Sequence, residues 1–288
     1  MLHDGRSTLR PSLCGDGTKP VAIALGVAWS PVAAALPDLG HLVDFIELPG
    51  WAVDEPHGPP VRRKVLHNLD KDFSLAKASV IDATWVARAN AQITATNSPW
   101  LSVHLGFSTE DVRFDAHMLP EGPVLSQDML FDRFVHNIRE VRRHIAQPLL
   151  LENLDYCPEG AYEHICDPAF ISAVVEATDT ELLLDLAHLR VTASWFGRDP
   201  MEMLLELPLR RVFELHISSP LPLGTHDPRL DDAHEPLTDD DITFLRAVLD
   251  HTRPAALVLE YRRDPQVLRA QLLQLARVLG RAWRGVGC

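Results

Sequence analysis

LLLDLAHLR, residues 182–190, admits two readings. As a helix it sets Asp185 and His188, three residues apart, on one solvated face. As a buried strand it delivers Asp185 to the strand's mouth, with His188 in the turn just beyond, where strand periodicity ends. The surrounding chain favours the strand. ELLLDLAH (181–188) is one of eight short apolar runs bounded by turn residues, the others being VAIALGVA (21–28), VDFIELP (43–49), VLHNLD (65–70), WLSVHLGF (100–107), PLLLENL (148–154), VFELHIS (212–218) and ALVLEYR (256–262).

Most of these runs are followed by a helix-like segment. The spacing predicts a helix over 126–146 capped by Ser126, with Met129, Phe131, Phe134, Ile138, Val141 and Ile145 as its apolar positions. A second is predicted over 238–251, with Thr238 as cap and Asp239, Asp240 and Asp241 in its first turn, and a third over 264–283 with Pro265 at its start. Strands alternating with helices imply parallel pairing through right-handed crossovers. Eight such units in about 250 residues match a single-domain α/β (β/α)8 TIM barrel. An open doubly wound sheet is the competitor, but GVAWSP after the first run lacks a Gly-rich phosphate loop. Residues 1–18 read as a flexible N-terminal arm ahead of a single barrel domain over 19–288. The segments 107–125 and 218–237 read as long loops on the active-site face.

Composition removes several function classes. The net charge is −13 with 46% hydrophobic residues, which disfavours a phosphate-backbone partner. No apolar run approaches the roughly 18–20 residues of a membrane span, and the N-terminus lacks the apolar core of a signal peptide, so a cytoplasmic location is expected. Cys14, Cys157, Cys166 and Cys288 show neither paired nor zinc-site spacing, which suggests reduced thiols.

Period-two alternation sorts the side chains of each run. Phe213, Leu215 and Ile217 form one apolar face of their run, so Glu214, His216 and Ser218 point into the barrel. Leu257, Leu259 and Tyr261 face out, which turns Val258, Glu260 and Arg262 inward. Ser102, His104 and Gly106 share the inner side. The same parity brings in Glu47, His67, Glu152 and Asp185. Seven of the eight runs thus aim a carboxylate or imidazole at one end of one barrel. A lone inward histidine is more often a hydrogen-bonded core residue than a ligand. Seven converging groups would bury like charges with no basic partner near most of them, and bound cations relieve that cost most simply. Asn153 follows Glu152, and RLDDAHEP sets Asp232 and His234 two apart on one side of an extended segment; alone, such a segment is as readily an exposed acidic loop. Imidazole and carboxylate without cysteine suit iron, manganese or zinc. About four histidines and five carboxylates exceed one coordination shell, which implies two or three ions sharing carboxylates.

The segments LHNLDKDFSLA, SVHLGFS, LLLENLDY, LLLDLAH, FELHISS, DDAH and LVLEYR, in that order, resemble the signature segments of the multinuclear non-heme iron-dependent oxidases, the methanobactin-synthase-like family formerly known only as a domain of unknown function. The resemblance runs from about residue 40 to 262. It implies a xylose-isomerase-like TIM barrel holding two or three irons. It also implies O2 as co-substrate, a ribosomally synthesised precursor peptide modified at cysteine or other residues in natural-product biosynthesis, and a second protein that presents the peptide. His67, His104, Glu152, Asn153, Asp185, His188, His216, Asp232, His234 and Glu260 fall on positions of iron ligands or their immediate neighbours, with Asp185, His188 and Glu260 as catalytic candidates. Trp51, Trp195 and Arg262 are candidate substrate contacts, or packing residues.

This chain departs from the family pattern in three places. LPGWAVDE stands where a second Glu-Asn pair is usual, GVAWSP lacks a histidine common after the first strand, and His188 stands where an amide is common. Two other readings remain open at this level. One is a divalent-metal sugar isomerase or epimerase, or an endonuclease-IV-like hydrolase, of the same barrel class. An isomerase would want a lysine or paired glutamates near the metals, and no lysine follows Lys77; the missing basic aromatic patches argue against DNA. The other is a metal-bearing scaffold without catalysis.

Overall fold

Eight parallel strands close into a barrel: β1 (Ala24–Ala28), β2 (Phe45–Leu48), β3 (Arg63–His67), β4 (Leu101–His104), β5 (Leu149–Glu152), β6 (Glu181–Asp185), β7 (Val212–Ile217) and β8 (Ala256–Leu259). Each pairs with its sequence neighbours, and β1 closes the ring against β8. The structure, a computed structural model, describes residues 22–70, 73–79, 81–113 and 119–281. The predicted arm over 1–18 lies outside these residues, as do Cys14 and Cys288.

Strand alternation makes two cores. Outward residues such as Leu215, Ile217, Leu257, Leu259 and Tyr261 pack with the helices in one continuous cluster. The inward set is smaller: Phe45, Val65, Trp100, Leu150, Leu183 and Val258 fill the lower barrel. Trp100 lies edge-on to Phe45 at 5.8 Å and to Phe213 at 5.2 Å, and it donates its indole N–H to Glu214 Oε2 at 2.8 Å. Gly26 is fixed by this filling, since a Cβ there would lie 2.4 Å from the Phe45 ring.

Phe213 corrects the parity reading. It was expected outward, yet it packs against the inner cluster. Leu182 pairs with Val212 and Leu183 with Glu214, so β7 carries one extra residue at the bulge. That residue breaks the alternation locally and leaves it intact from Glu214 onward.

The helix starts follow the capping signals. Ser126 caps Gln127–His144, Thr238 forms a capping box with Asp241 on Asp239–His251, and Asp264 caps Pro265–Val278, which ends before the predicted residue 283. Met129, assigned to the apolar face, is 46% exposed, and Leu130 is buried instead. Both predicted loops contain antiparallel hairpins, Asp111–Arg113 with Leu119–Glu121 and Ser219–Gly224 with Asp227–Glu235. They follow β4 and β7, which places them at the C-terminal mouth of the barrel. Strand β6 runs straight into a helix (Leu186–Phe196) with no intervening turn, so His188 lies in that helix and not in a turn. No helix among the described residues is long and apolar enough to cross a membrane.

Candidate metal centre

Lateral register brings the polar strand ends together. His104 pairs across from Glu152, and Asp185 from His216. Glu152, on β5, occupies the middle. Its Oε2 lies 3.2 Å from both His67 Nε2 and His104 Nε2, and its Oε1 lies 3.4 Å from His216 Nδ1 and 3.7 Å from His188 Nδ1. It is 1% exposed. Among the described residues, four sets of three donors have ligand atoms within 4.8 Å of one another: Glu47, His67 and His216; His67, His104 and Glu152; Glu152, Asp185 and His188; Asp185, His216 and Glu260.

Three of the imidazoles, His216, His67 and His188, are oriented by a hydrogen bond at one ring nitrogen. The His216 Nε2–H donates to Glu47 Oε1 at 3.2 Å, which turns Nδ1 toward Glu152, Asp185 and Glu260. The His67 Nδ1–H donates to Ser102 Oγ at 2.9 Å, leaving Nε2 to accept from the Asn68 amide at 2.6 Å. The His188 Nδ1–H donates to the Asn153 carbonyl at 2.8 Å, and Nε2 faces Asp232 Oδ2 at 3.6 Å. A ring held at one nitrogen with the other turned toward carboxylates is the arrangement metal-ligating histidines adopt, and His216 and His188 show it.

Asp185 has two tasks. As N-cap it accepts from the His188 backbone N–H at Oδ1, 2.7 Å away, while Oδ2 stays buried in the cluster. Asn153 clamps the Asp185 backbone from both sides: its Nδ2 donates to the Asp185 carbonyl at 3.1 Å and its Oδ1 accepts from the Asp185 N–H at 2.8 Å. With both amide atoms engaged on the Asp185 backbone, Asn153 fixes the strand end that carries Asp185 and is not itself turned toward the cluster. At the upper rim His234 bridges Asp232 Oδ2 at 3.0 Å and Glu260 Oε2 at 3.1 Å.

Without a cation the cluster stores protons. Burial opposes charge on His216, but Glu47, Glu260 and Glu152 outweigh it and hold the imidazolium well above the ordinary range. His188 is raised in the same way, with Asp185 and Asp232 overcoming burial. Burial also works against His234, yet Glu260 and Asp232 push it up to about 10. Burial pushes Asp185 up to about 6, with Glu260, Asp232 and Glu152 adding to the rise and His188 opposing it. For Glu152 burial disfavours the anion, but His104 and His67 prevail and hold it well below its usual range. One buried donor after another nevertheless lacks a hydrogen-bond partner: Glu152 Oε2, Asp185 Oδ2, His216 Nδ1 and Asp232 Oδ1. Glu152, Asp185 and His216 also belong to the close donor groups, and a bound cation that displaced the imidazolium proton would satisfy these atoms together.

The cluster opens into a cavity of about 320 Å³. His67, His104, Glu152, His188, Asp232, His234 and Glu260 line it, together with Trp51 and Arg262. Trp195 is not among the lining residues. Its indole N–H donates to the Leu230 carbonyl at 3.2 Å and Arg229 stacks on its ring at 4.4 Å, so it packs beneath the second hairpin. Sequence reasoning passed over Asp155, a cavity residue whose carboxyl burial pushes up, and Glu47 as the partner of His216. The available signal was the run Glu152-Asn153-Leu154-Asp155, in which two carboxylates leave one strand end. Cys157 and Cys166 are free thiols.

The model of the RiPP precursor modification enzymes MbnB/TglH/ChrH, which act on ribosomally synthesised and post-translationally modified peptides, matches residues 63–279. The chain belongs to this family. The resemblance drawn from the ordered segments is thereby borne out, and a peptide substrate goes with it. The chain is also 30% identical over 287 residues to a UPF0276 protein of Bordetella parapertussis, covering 96% of this chain and 94% of that one. Among solved structures it is similar to D-psicose 3-epimerase with D-tagatose from Clostridium cellulolyticum, with a TM-score of 0.55 at 12% identity over 90% of this chain and 100% of that one. An AP endonuclease of family 2 from Brucella melitensis gives a TM-score of 0.54 at 14% identity over 89% and 98%. At such identities these neighbours share the barrel and nothing more.

Proposed function

We propose that this enzyme is a multinuclear iron-dependent oxidase that uses O2 to modify a residue, cysteine in the first instance, of a ribosomally made precursor peptide. The observation that carries the reading is that Glu152, Asp185 and His216, each with a buried atom that lacks a partner, belong to close groups of donors beneath an open cavity. The donors are imidazoles and carboxylates, a set that suits iron. His67, His104 and Glu152 would hold one ion and Asp185, His216 and Glu260 a second, with His188, Asp232 and His234 beside them at the rim. Bound iron supplies the one-electron chemistry and O2 activation that side-chain oxidation needs.

The chain's own residues supply placement. Glu47 fixes the His216 ring, Asn153 fixes Asp185, and Ser102 fixes His67. His188 and Glu260 line the cavity where substrate enters, and Asp185 lies fully buried just behind them. With Asp185 these form the catalytic set. Arg262, 3.6 Å from Glu260 Oε1, brings a guanidinium to the cavity beside the carboxylates and offers a contact for peptide carbonyls. A partner protein presents the peptide, in a cytoplasmic setting where thiols stay reduced.

The test is aerobic, iron-replete co-expression with a cysteine-containing precursor peptide and the adjacent gene product, followed by intact-mass measurement. A mass change that requires both iron and O2 is expected. An unchanged peptide, or purified protein carrying manganese or zinc and turning over sugars, overturns the reading.

A further inference from the structure

The donors are not spread evenly around the mouth. Apart from Glu47, every carboxylate and imidazole of the cluster comes from β3 to β7 and the segments that follow β6, β7 and β8. Strand β1 contributes Ala28 and then Trp29, and β2 is followed by Pro49 and Trp51, all lining the same cavity as the donors. These two strands are adjacent, with Ala28 in register with Glu47. One sector of the mouth is therefore apolar and aromatic, and it directly borders the metal-binding sector.

This sector is built, not a loop that happens to lie nearby. Trp51 sits in a short 3-10 turn, Gly50–Ala52. The Gly50 N–H donates to the Asn68 carbonyl, Gln92 Nε2 donates to the Gly50 carbonyl, and the His57 Nε2–H donates to the Ala52 carbonyl, each at 2.9 Å. Residue 50 must be glycine, because a Cβ would lie 2.4 Å from the Leu69 carbonyl oxygen. Trp29 is pinned by its indole N–H to the Pro56 carbonyl at 3.3 Å. Three backbone bonds thus hold a tryptophan that remains 50% exposed, an arrangement that adds little to the core. A rigid, half-exposed aromatic beside a reactive centre is suited to binding a side chain.

We infer that Trp29, Pro49 and Trp51 form a subsite for an aromatic or large aliphatic side chain on the residue adjacent to the one held at the metals. The inference rests on the reading that the cavity takes a peptide, since a neighbouring residue's side chain then lies beside the metal-bound one and has this wall within reach. A polar or glycine neighbour would leave the wall wet and gain nothing from it.

Equilibrium binding of capped dipeptides to the Fe(II)-loaded protein under argon tests this. The probes are Ac-Phe-Cys-NH2, Ac-Gly-Cys-NH2, Ac-Phe-Ser-NH2 and Ac-Gly-Ser-NH2, with each pair also made in the reverse order. The Phe probe is expected to bind about tenfold more tightly than its Gly counterpart in one of the two orders, the lower end for burying a phenyl group. Trp51→Ala should bring that ratio to within about twofold, Trp51→Tyr should keep most of it, and Leu205→Ala, an exposed apolar position outside the cavity, should leave it intact. A Phe-to-Gly ratio below about twofold in both orders, or one that survives Trp51→Ala, overturns the subsite. The Cys-to-Ser ratio reports the thiol reading separately, so a Phe preference without a Cys preference refutes that reading and leaves the subsite standing.

Discussion

Glu152→Gln is the most informative single substitution at the candidate metal centre. It keeps the side chain's shape and removes one negative charge from a carboxylate within 3.2 Å of two imidazoles and 3.4 Å of a third. Losing an outer-shell partner costs a metal site about 10–100-fold in affinity. Glu152 touches more of the donors than any outer partner does, so a loss of about 100-fold or more is the expectation. At a fixed metal concentration that loss removes about 2.7 kcal/mol of ligand-linked stabilisation. For a chain of this size about 1 kcal/mol moves Tm by roughly 2 °C, so the metal-induced rise in Tm should shrink by roughly 5 °C. The assay is elemental analysis of anaerobically reconstituted protein, a chelator competition for Kd, and paired melts with and without Fe(II). A variant that binds the same number of irons within about threefold of the wild-type Kd would falsify the assignment of Glu152 to the metals.

Four further outcomes are expected. Glu47→Gln, which weakens the anchor of the His216 ring, should lower affinity by about 10–100-fold without abolishing binding; loss of all iron would show that Glu47 is itself a ligand. His188→Asn should reduce bound iron, and an unchanged count by elemental analysis would remove His188 from the donor set. Asn153→Ala leaves the buried Asp185 N–H unpaired and should cost about 1–3 kcal/mol in urea unfolding of the metal-free protein; a smaller loss would contradict the clamp. The pH prediction concerns Glu214, whose carboxyl burial pushes well above its ordinary value, with Glu47 adding to the rise. The folded state then holds a proton that the unfolded state has released, so this residue lowers stability as pH rises from its unfolded value toward its folded one, by at most about 1.4 kcal/mol per pH unit. Glu214→Gln should therefore gain on the wild type in metal-free urea melts as pH rises above the ordinary glutamate range, and parallel curves would refute the assignment.

Alternation made much of the site legible. Once the eight runs were read as strands, parity alone turned His67, His104, Glu152, Asp185, His216 and Glu260 toward one mouth, because successive side chains on a strand point to opposite faces. Phe213 escaped that rule because a bulge is set by the pairing of β6 with β7, and no residue type in VFELHIS announces it. Trp195 escaped for a different reason: its position depends on the hairpin that folds over it, a contact between segments far apart in sequence. Asn153 was identified as part of the site, but its role was not, since an amide can ligate or clamp and only the position of the Asp185 backbone distinguishes the two.

LLLDLAHLR shows the division most clearly. By itself the sequence determined that Asp185 ends a buried strand and that a histidine lies close behind, because an apolar run among seven similar ones has one economical fold. Tertiary structure decided what the two residues do. Asp185 spends one oxygen capping the helix that carries His188 and leaves the other buried without a partner, while His188 donates to the Asn153 carbonyl and turns its other nitrogen toward Asp232. Those assignments depend on neighbouring strands brought into register by barrel closure, and distances across a closed barrel are not encoded in the periodicity of any one strand.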